Sequence, residues 1–224
     1  MIFVTGDTHG QLDLRKVTKR YWPEQQNLSH NDYLVVLGDF GLYWNRDKTY
    51  EYLQDFWQSR KFTVLWIDGN HENFPWIKTL SVSELFGGTI QRDGNVIHLT
   101  RGQIYTIDNY KFFVMGGARS IDQAYRTEFV NWWREEEPSY SEQSLGLASL
   151  ETSKWTVDFL LTHAAPRSIR GQMFPDMHGE SNTESYLDRI LEKVQFKHWY
   201  FGHYHEDKDQ NNFSAMYNRV IQIA

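Results

Sequence analysis

An α/β fold is what this sequence predicts, and three observations predict it. Short apolar runs rich in Val, Ile, Leu and aromatics alternate with stretches of helical period from residue 2 to residue 67. Each of those runs stops at a polar, Gly-containing tip, the pattern of a buried strand meeting a ligand-binding loop at its carboxyl end. From 83 to 118 the texture changes to short β-rich runs separated by Gly, Asn and Asp. That reads as an antiparallel meander, able to form a second sheet.

The elements follow in order. Ile2–Thr5 is a first strand, ended by Gly6-Asp7-Thr8-His9-Gly10, which sets a carboxylate and an imidazole two residues apart. Leu12, Leu14, Val17 and Tyr21 give residues 12–22 the pattern of a short amphipathic helix stopped by Pro23. Tyr33–Leu37 has the composition of a strand buried on both faces and ends in Gly38-Asp39-Phe40-Gly41. Residues 47–59 predict a helix with Tyr50, Leu53, Phe56 and Trp57 on one face. Residues 64–67 form a third strand running into Asp68-Gly69-Asn70-His71-Glu72. This alternation predicts parallel pairing with right-handed crossovers. In the meander, residues 89–90, 96–99, 104–107 and 111–115 are strands, and Gly116-Gly117-Ala118-Arg119-Ser120 is a turn that can approach a ligand closely. Residues 128–151 read as an irregular loop and then a helix from Ser139. A strand from 157 ends in His163, and 166–182, lacking a period, reads as a loop. Residues 183–194 predict an amphipathic helix with Thr183 as N-cap. Strand His198–Phe201 ends in Gly202-His203-Tyr204-His205, and one or two closing strands occupy 212–223.

The 224 residues suit one domain over 1–224, long enough to bury a sizeable core. Charged residues make up 23% and aromatics 16%, with 5 Pro, which is a globular rather than a disordered composition. The absence of cysteine excludes disulfides and thiolate ligands and fits a reducing cytoplasm. The N-terminus reaches Asp7 after one short apolar run, so no signal peptide is expected, and no run approaches membrane-spanning length. A cytoplasmic protein with no membrane partner is the expectation. A net charge of -6 argues against long nucleic acid as a partner. It does not argue against a small phosphorylated substrate, since one site can carry its own local charge.

Five strand ends carry Asp7 and His9, Asp39, Asn70 and His71, His163, and His203 and His205. Oxygen and imidazole donors without thiolate suit Mn2+, Fe, Zn2+ or a similar mid-row ion. Setting His71 aside, seven candidate ligands are too many for one tetrahedral ion. They suit two ions sharing a carboxylate, which in such sites stand roughly 3.5–4 Å apart. The order Asp-x-His, Gly-Asp, Gly-Asn-His-Glu, a lone His and Gly-His-x-His, from Asp7 to His205, closely resembles the calcineurin-like metallophosphoesterase superfamily. The resemblance implies a four-layer sandwich of two mixed β-sheets flanked by helices. It also implies two divalent ions, Mn2+ foremost, with Fe, Zn2+, Ni2+ or Co2+ as alternatives. Asp7, His9 and His205 would hold one, Asn70, His163 and His203 the other, and Asp39 would bridge them. His71 is implied to be catalytic, protonating the leaving oxygen or stabilising its charge.

The chemistry follows from charge. Two divalent ions bring about +4, and two carboxylates leave the pocket at about +2, attractive to phosphate. A water shared by both ions should have its pKa lowered from about 15.7 toward about 7. The expected reaction is direct attack of that bridging hydroxide on phosphorus, with no covalent enzyme intermediate. The chain is thus expected to be a hydrolase acting on ester bonds, a phosphatase or phosphodiesterase. Its substrate would be a small phosphorylated molecule or a phosphopeptide, monoester or diester. The protein Ser/Thr phosphatase branch carries an Asp and an Arg where this chain has Leu42 and Tyr43. His71 therefore lacks that branch's orienting carboxylate, unless Glu72 or Asp68 replaces it. Arg119 is the candidate phosphate grip, with a solvated loop residue as the alternative. The competing functions are a catalytically inactive interaction scaffold and a metal-dependent nuclease. Asp176 and His178 read as loop residues, and His30, His98 and His198 as structural. Trp132 and Trp133 read as packing, Glu135-Glu136-Glu137 as a solvated charge run, and Gly38, Gly69 and Gly202 as turn formers.

Overall fold

The computed structural model describes residues 1–177 and 179–224. Three apolar runs form the strands their composition predicts: β1 (Ile2–Thr5), β2 (Tyr33–Leu37) and β3 (Thr63–Ile67), side by side and parallel. Before β3, helix α1 (Lys48–Gln58) starts where the Asp47 carboxylate accepts from the N–H groups of Thr49 and Tyr50, and it buries Leu53 and Trp57.

No α-helix forms over 12–22. A 3-10 turn covers Leu14–Val17, and Pro23 opens a second rather than stopping a helix. The cause is Lys16, whose ammonium turns inward and donates to the carbonyls of Asp7 and Tyr217. Leu14, Lys16 and Val17 are buried together, while Leu12 and Tyr21 of the expected apolar stripe are exposed. A helix would put Leu14 and Lys16 on opposite sides.

A one-turn helix, α2 (Phe74–Ile77), leads into β4 (Ser81–Leu85), β5 (Gly88–Asp93), β6 (Val96–Leu99), β7 (Gln103–Ile107) and β8 (Tyr110–Met115). Then come α3 (Tyr140–Thr152), β9 (Phe159–Thr162), α4 (Arg167–Met173), α5 (Asn182–Leu191), β10 (His198–Phe201), β11 (Lys208–Gln210), β12 (Phe213–Ala215) and β13 (Val220–Gln222). Helix α3 begins at Ser139, as predicted, with a capping box closed by Glu142. Segment 166–182 is not a loop throughout, because α4 follows Pro166 and buries Ile169 and Met173 four residues apart. The cap of α5 is Ser181, whose hydroxyl accepts from the Glu184 N–H, and not Thr183. Thr183 is buried, and both its N–H and its hydroxyl donate to Glu137.

The meander divides between two sheets. β6 pairs in parallel with β3 and carries β5 and β4 antiparallel beyond it, giving seven strands in the order β13-β1-β2-β3-β6-β5-β4. β7 and β8 belong to the second sheet, of order β11-β12-β10-β9-β8-β7. The chain crosses over at Gly102, φ 77°, where any side chain would strike the backbone of Glu142 and Gly146. Residues 212–223 hold two closing strands, as expected: β12 extends the second sheet together with β11, which precedes that stretch, and β13 returns to pair antiparallel with β1.

Alternation along the central strands sorts their side chains into separate cores. Ile2, Val4, Val35, Leu37, Leu65 and Ile67 face Val114, Leu161 and Tyr200 of the second sheet. Phe3, Leu34, Val36, Val64 and Trp66 face the other way, onto α1. Phe113, Leu160, Trp199 and Phe201 pack under α3, α4 and α5 with Leu150, Ile169 and Leu187. The layers are therefore helix, sheet, sheet, helix, as the family resemblance implied. No described helix is long and apolar enough to cross a membrane.

Candidate metal centre

The carboxyl ends of β1, β2 and β3 meet those of β9 and β10 across the gap between the sheets. His163, after β9, donates Nδ1–H to the Leu37 carbonyl at the end of β2, 2.7 Å away. The N–H of His203, after β10, donates to Asp7 Oδ1 at 3.0 Å. The turns are tight enough to strain the backbone: His9, Asp39, His203 and His205 have φ of 41°, 46°, 70° and 51°. Such conformations cost non-glycine residues of order 1–3 kcal/mol each and persist where the surroundings enforce them. Gly38, φ 92°, is a turn former as expected. Gly69 and Gly202 serve close approach instead, since a side chain at either would run into the carboxylate of Asp39 or Asp7.

Asp7, His9, Asp39 and His205 each present a ligand atom, and these atoms lie within 4.8 Å of one another. His9 Nε2 stands 3.2 Å from Asp39 Oδ2, and His205 Nε2 stands 3.2 Å from Asp7 Oδ2. Asp7 Oδ2 is buried, yet it makes no hydrogen bond among the described residues. A buried carboxylate oxygen aimed at an imidazole nitrogen without bonding it fits a cation between them. The far side of His9 is held by Asp13, whose Oδ2 lies 2.8 Å from Nδ1. Asp13 accepts from the Tyr217 hydroxyl at 2.9 Å, and the Tyr217 ring stacks on His205 with centroids 5.0 Å apart. One tyrosine thus steadies both imidazoles of this group.

Asn70, His163 and His203 gather beside them. His163 Nε2 is 3.0 Å from Asn70 Oδ1 and 3.5 Å from Asp39 Oδ1, and its ring centroid is 5.1 Å from that of His203. Asn70 donates from Nδ2 to Ser120 Oγ at 3.0 Å, and Ser120 donates on to Glu136 Oε2 at 2.6 Å. This chain keeps the Asn70 carbonyl oxygen turned inward. The acidic run is therefore not a solvated one. Glu136 is buried on Ser120, Glu137 holds the start of α5, and only Glu135 makes a surface ion pair, with Lys78. Trp133 is packing, as expected, edge-on to Trp44.

The charges agree with a cation site. Burial works against an ionised Asp39, but His163 outweighs it and holds the carboxylate well below its usual range. Burial also disfavours imidazolium, yet Asp39 raises His163 to about 9. His9 likewise resists burial through its bond to Asp39 and rises to about 9. Burial, reinforced by His163, lowers His203 to about 3. Protons on two imidazoles thus balance the carboxylates, and divalent cations can replace them.

The family model of the calcineurin-like phosphoesterases matches residues 1–207. The chain belongs to that family. The comparison with curated proteins returned no match. The family indicates a hydrolase of phosphoester bonds that uses divalent metals, and Asp7, His9, Asp39 and His205 form a group able to hold one.

In this member of the family, His71 is anchored by its N–H, which donates to Asp39 Oδ1 at 2.7 Å. Burial lowers its imidazole below the ordinary value; Asp39 opposes this and Arg126, paired with Asp122, reinforces it. Neither carboxylate considered as its orienter serves. Glu72 accepts from the Phe40 N–H at 2.7 Å, and Asp68 binds His98 and Arg101 beneath β3. Leu42 and Tyr43 are buried in the core under α1. Arg119 is exposed on the wall of a cavity that also meets Asn70, His71 and His203, and its Nη1 donates to the Glu180 carbonyl at 2.6 Å. Asp176 lines the same cavity, while His178 lies outside the described residues. The sequence reading missed Asp13, Ser120, Glu136 and Tyr217. Only Asp13, four residues after His9, left a local signal.

Proposed function

We propose that this phosphoesterase is dinuclear and hydrolyses a phosphate ester by direct attack on phosphorus. Asp39 carries the reading. Its Oδ2 faces His9 at 3.2 Å and its Oδ1 faces His163 at 3.5 Å, the placement a shared carboxylate needs. Asp7, His9 and His205 would hold one ion, and Asn70, His163 and His203 the other. When bound, the ions lower the pKa of a water between them and steady the charge on the phosphoryl oxygens. The chain's own groups do the rest. Leu37 and Asp13 hold Nδ1 of His163 and His9, so each ring presents Nε2 to the centre. His71 gives its proton to the leaving oxygen. Burial lowers its pKa in the resting site, and an arriving phosphoryl anion favours the protonated form. Arg119 grips the phosphoryl group from the cavity wall. Mn2+ is the first metal to try, since carboxylate, amide and imidazole donors accept it. The cysteine-free sequence supports a cytoplasmic setting, and the net charge of -6 supports a small phosphorylated substrate in place of a polyanion.

Elemental analysis, paired with hydrolysis of p-nitrophenyl phosphate and bis-p-nitrophenyl phosphate in Mn2+, tests this. Two metals per chain with turnover is the expected result. No metal after reconstitution would mean the ligands do not converge, and the assignment would fall.

A further inference from the structure

His71 stands between two cavities. One, of about 800 Å³, lies on the side of Asn70, His203 and His205 and is walled by Arg119, Asp122 and Tyr204. The other, of about 430 Å³, lies on the side of His9 and is walled by Gln11, Leu12, Trp44, Asn45, Thr49 and Tyr50. Among the described residues, His71 alone lines both.

The two differ in character. The larger carries Arg119 and is of a size that holds a small organic ligand. The smaller has no Lys or Arg among its described lining residues. Its one carboxylate, Asp47, is engaged in capping α1. Beyond His9 and His71 at its inner end, what remains are three leucines, amide and hydroxyl groups and two aromatic rings, a lining for an uncharged arm that stacks and hydrogen-bonds. A terminal phosphate or carboxylate would find no guanidinium or ammonium to pair with there.

A phosphomonoester has one substituent on phosphorus and would leave one cavity without a ligand. A diester has two. Resting on the phosphoesterase reading of this site, we propose that the substrate is a phosphodiester whose phosphorus sits at His71 with one arm in each cavity, the arm on the Trp44 side uncharged. A water oxygen bonds to phosphorus as the bond to one ester oxygen breaks. The departing oxygen takes the proton of His71, and the water's proton passes to solvent. The products are a phosphomonoester and an alcohol. The monoester has lost one of its two cavity contacts, so it binds more weakly than the substrate and leaves.

The test compares kcat/KM for bis-p-nitrophenyl phosphate and p-nitrophenyl phosphate with the Mn2+-loaded protein. The diester should be preferred by about tenfold or more, the scale set by filling an extra subsite. Asn45→Trp, a change at the exposed rim of the smaller cavity, should lower the diester-to-monoester ratio by at least about fivefold through KM for the diester. Gln11→Trp, at another exposed residue of the same lining, should do the same if Asn45→Trp does not fold. A monoester preference, or a ratio that neither folded variant moves, would overturn the proposal while leaving the hydrolytic centre standing. Failure to hydrolyse either ester with two metals bound would instead overturn the phosphoesterase reading, and this inference with it.

Discussion

The two halves of the candidate metal centre are held in different ways. Asn70 and His163 are buried, and the hydrogen bonds they donate to the Ser120–Glu136 chain and to the Leu37 carbonyl fix their orientation. His9 and His205 have side chains 15% and 50% exposed, and Asp13 and the ring of Tyr217 position them near solvent. Donors oriented before the ion arrives give up little conformational freedom when it binds. The inner half should therefore hold its metal more tightly and exchange it more slowly, and the outer half should be the one that loads last. Asp39 joins the two, one oxygen to each.

The largest effect should come from breaking that join. Asp39→Ala removes a donor from both halves, and activity should fall by at least about 10³-fold, equivalent to roughly 4 kcal/mol. Metal content by elemental analysis should fall with it. His71→Ala should lower kcat by about 10²–10⁴-fold with metal content unchanged, which separates proton transfer from metal binding. Ser120→Ala should weaken the inner site selectively, by about 10–100-fold in a Mn2+ titration, because the Asn70 amide loses its fixed orientation. Glu136→Gln keeps a hydrogen-bond acceptor for Ser120 and should cost less. Tyr217→Phe should give the smallest change. It removes the hydroxyl from Asp13 but keeps the ring on His205, so outer-site affinity should fall by no more than about tenfold. If Ser120→Ala weakened the outer site instead, the contrast between the halves would be wrong.

The residues of the candidate centre are legible in the sequence because each is announced locally: an apolar strand, then a donor within a few residues of its end. The same local logic gave β1, β2, β3, β9 and β10 and the helices α1 and α3. It failed where a distant group decides. Lys16 reaches carbonyls nine and about two hundred residues away, and its inward turn replaces the helix expected over 12–22. The split of the meander between two sheets depends on the pairing of β6 with β3, thirty residues upstream, which no pattern within 83–118 records. Glu136 sits in a run of three glutamates that looks solvated, and only the folded chain sets it beneath Ser120. Gly69 and Gly202 look like turn residues, but carboxylates arriving from other strands exclude a side chain at each.

Electron paramagnetic resonance of the Mn2+-loaded protein tests the shared centre most directly. Asp39 as a bridge predicts a spin-coupled pair signal at two Mn2+ per chain, which Asp39→Ala should abolish. A six-line spectrum of isolated Mn2+ at full loading, or saturation at one ion per chain, would contradict it.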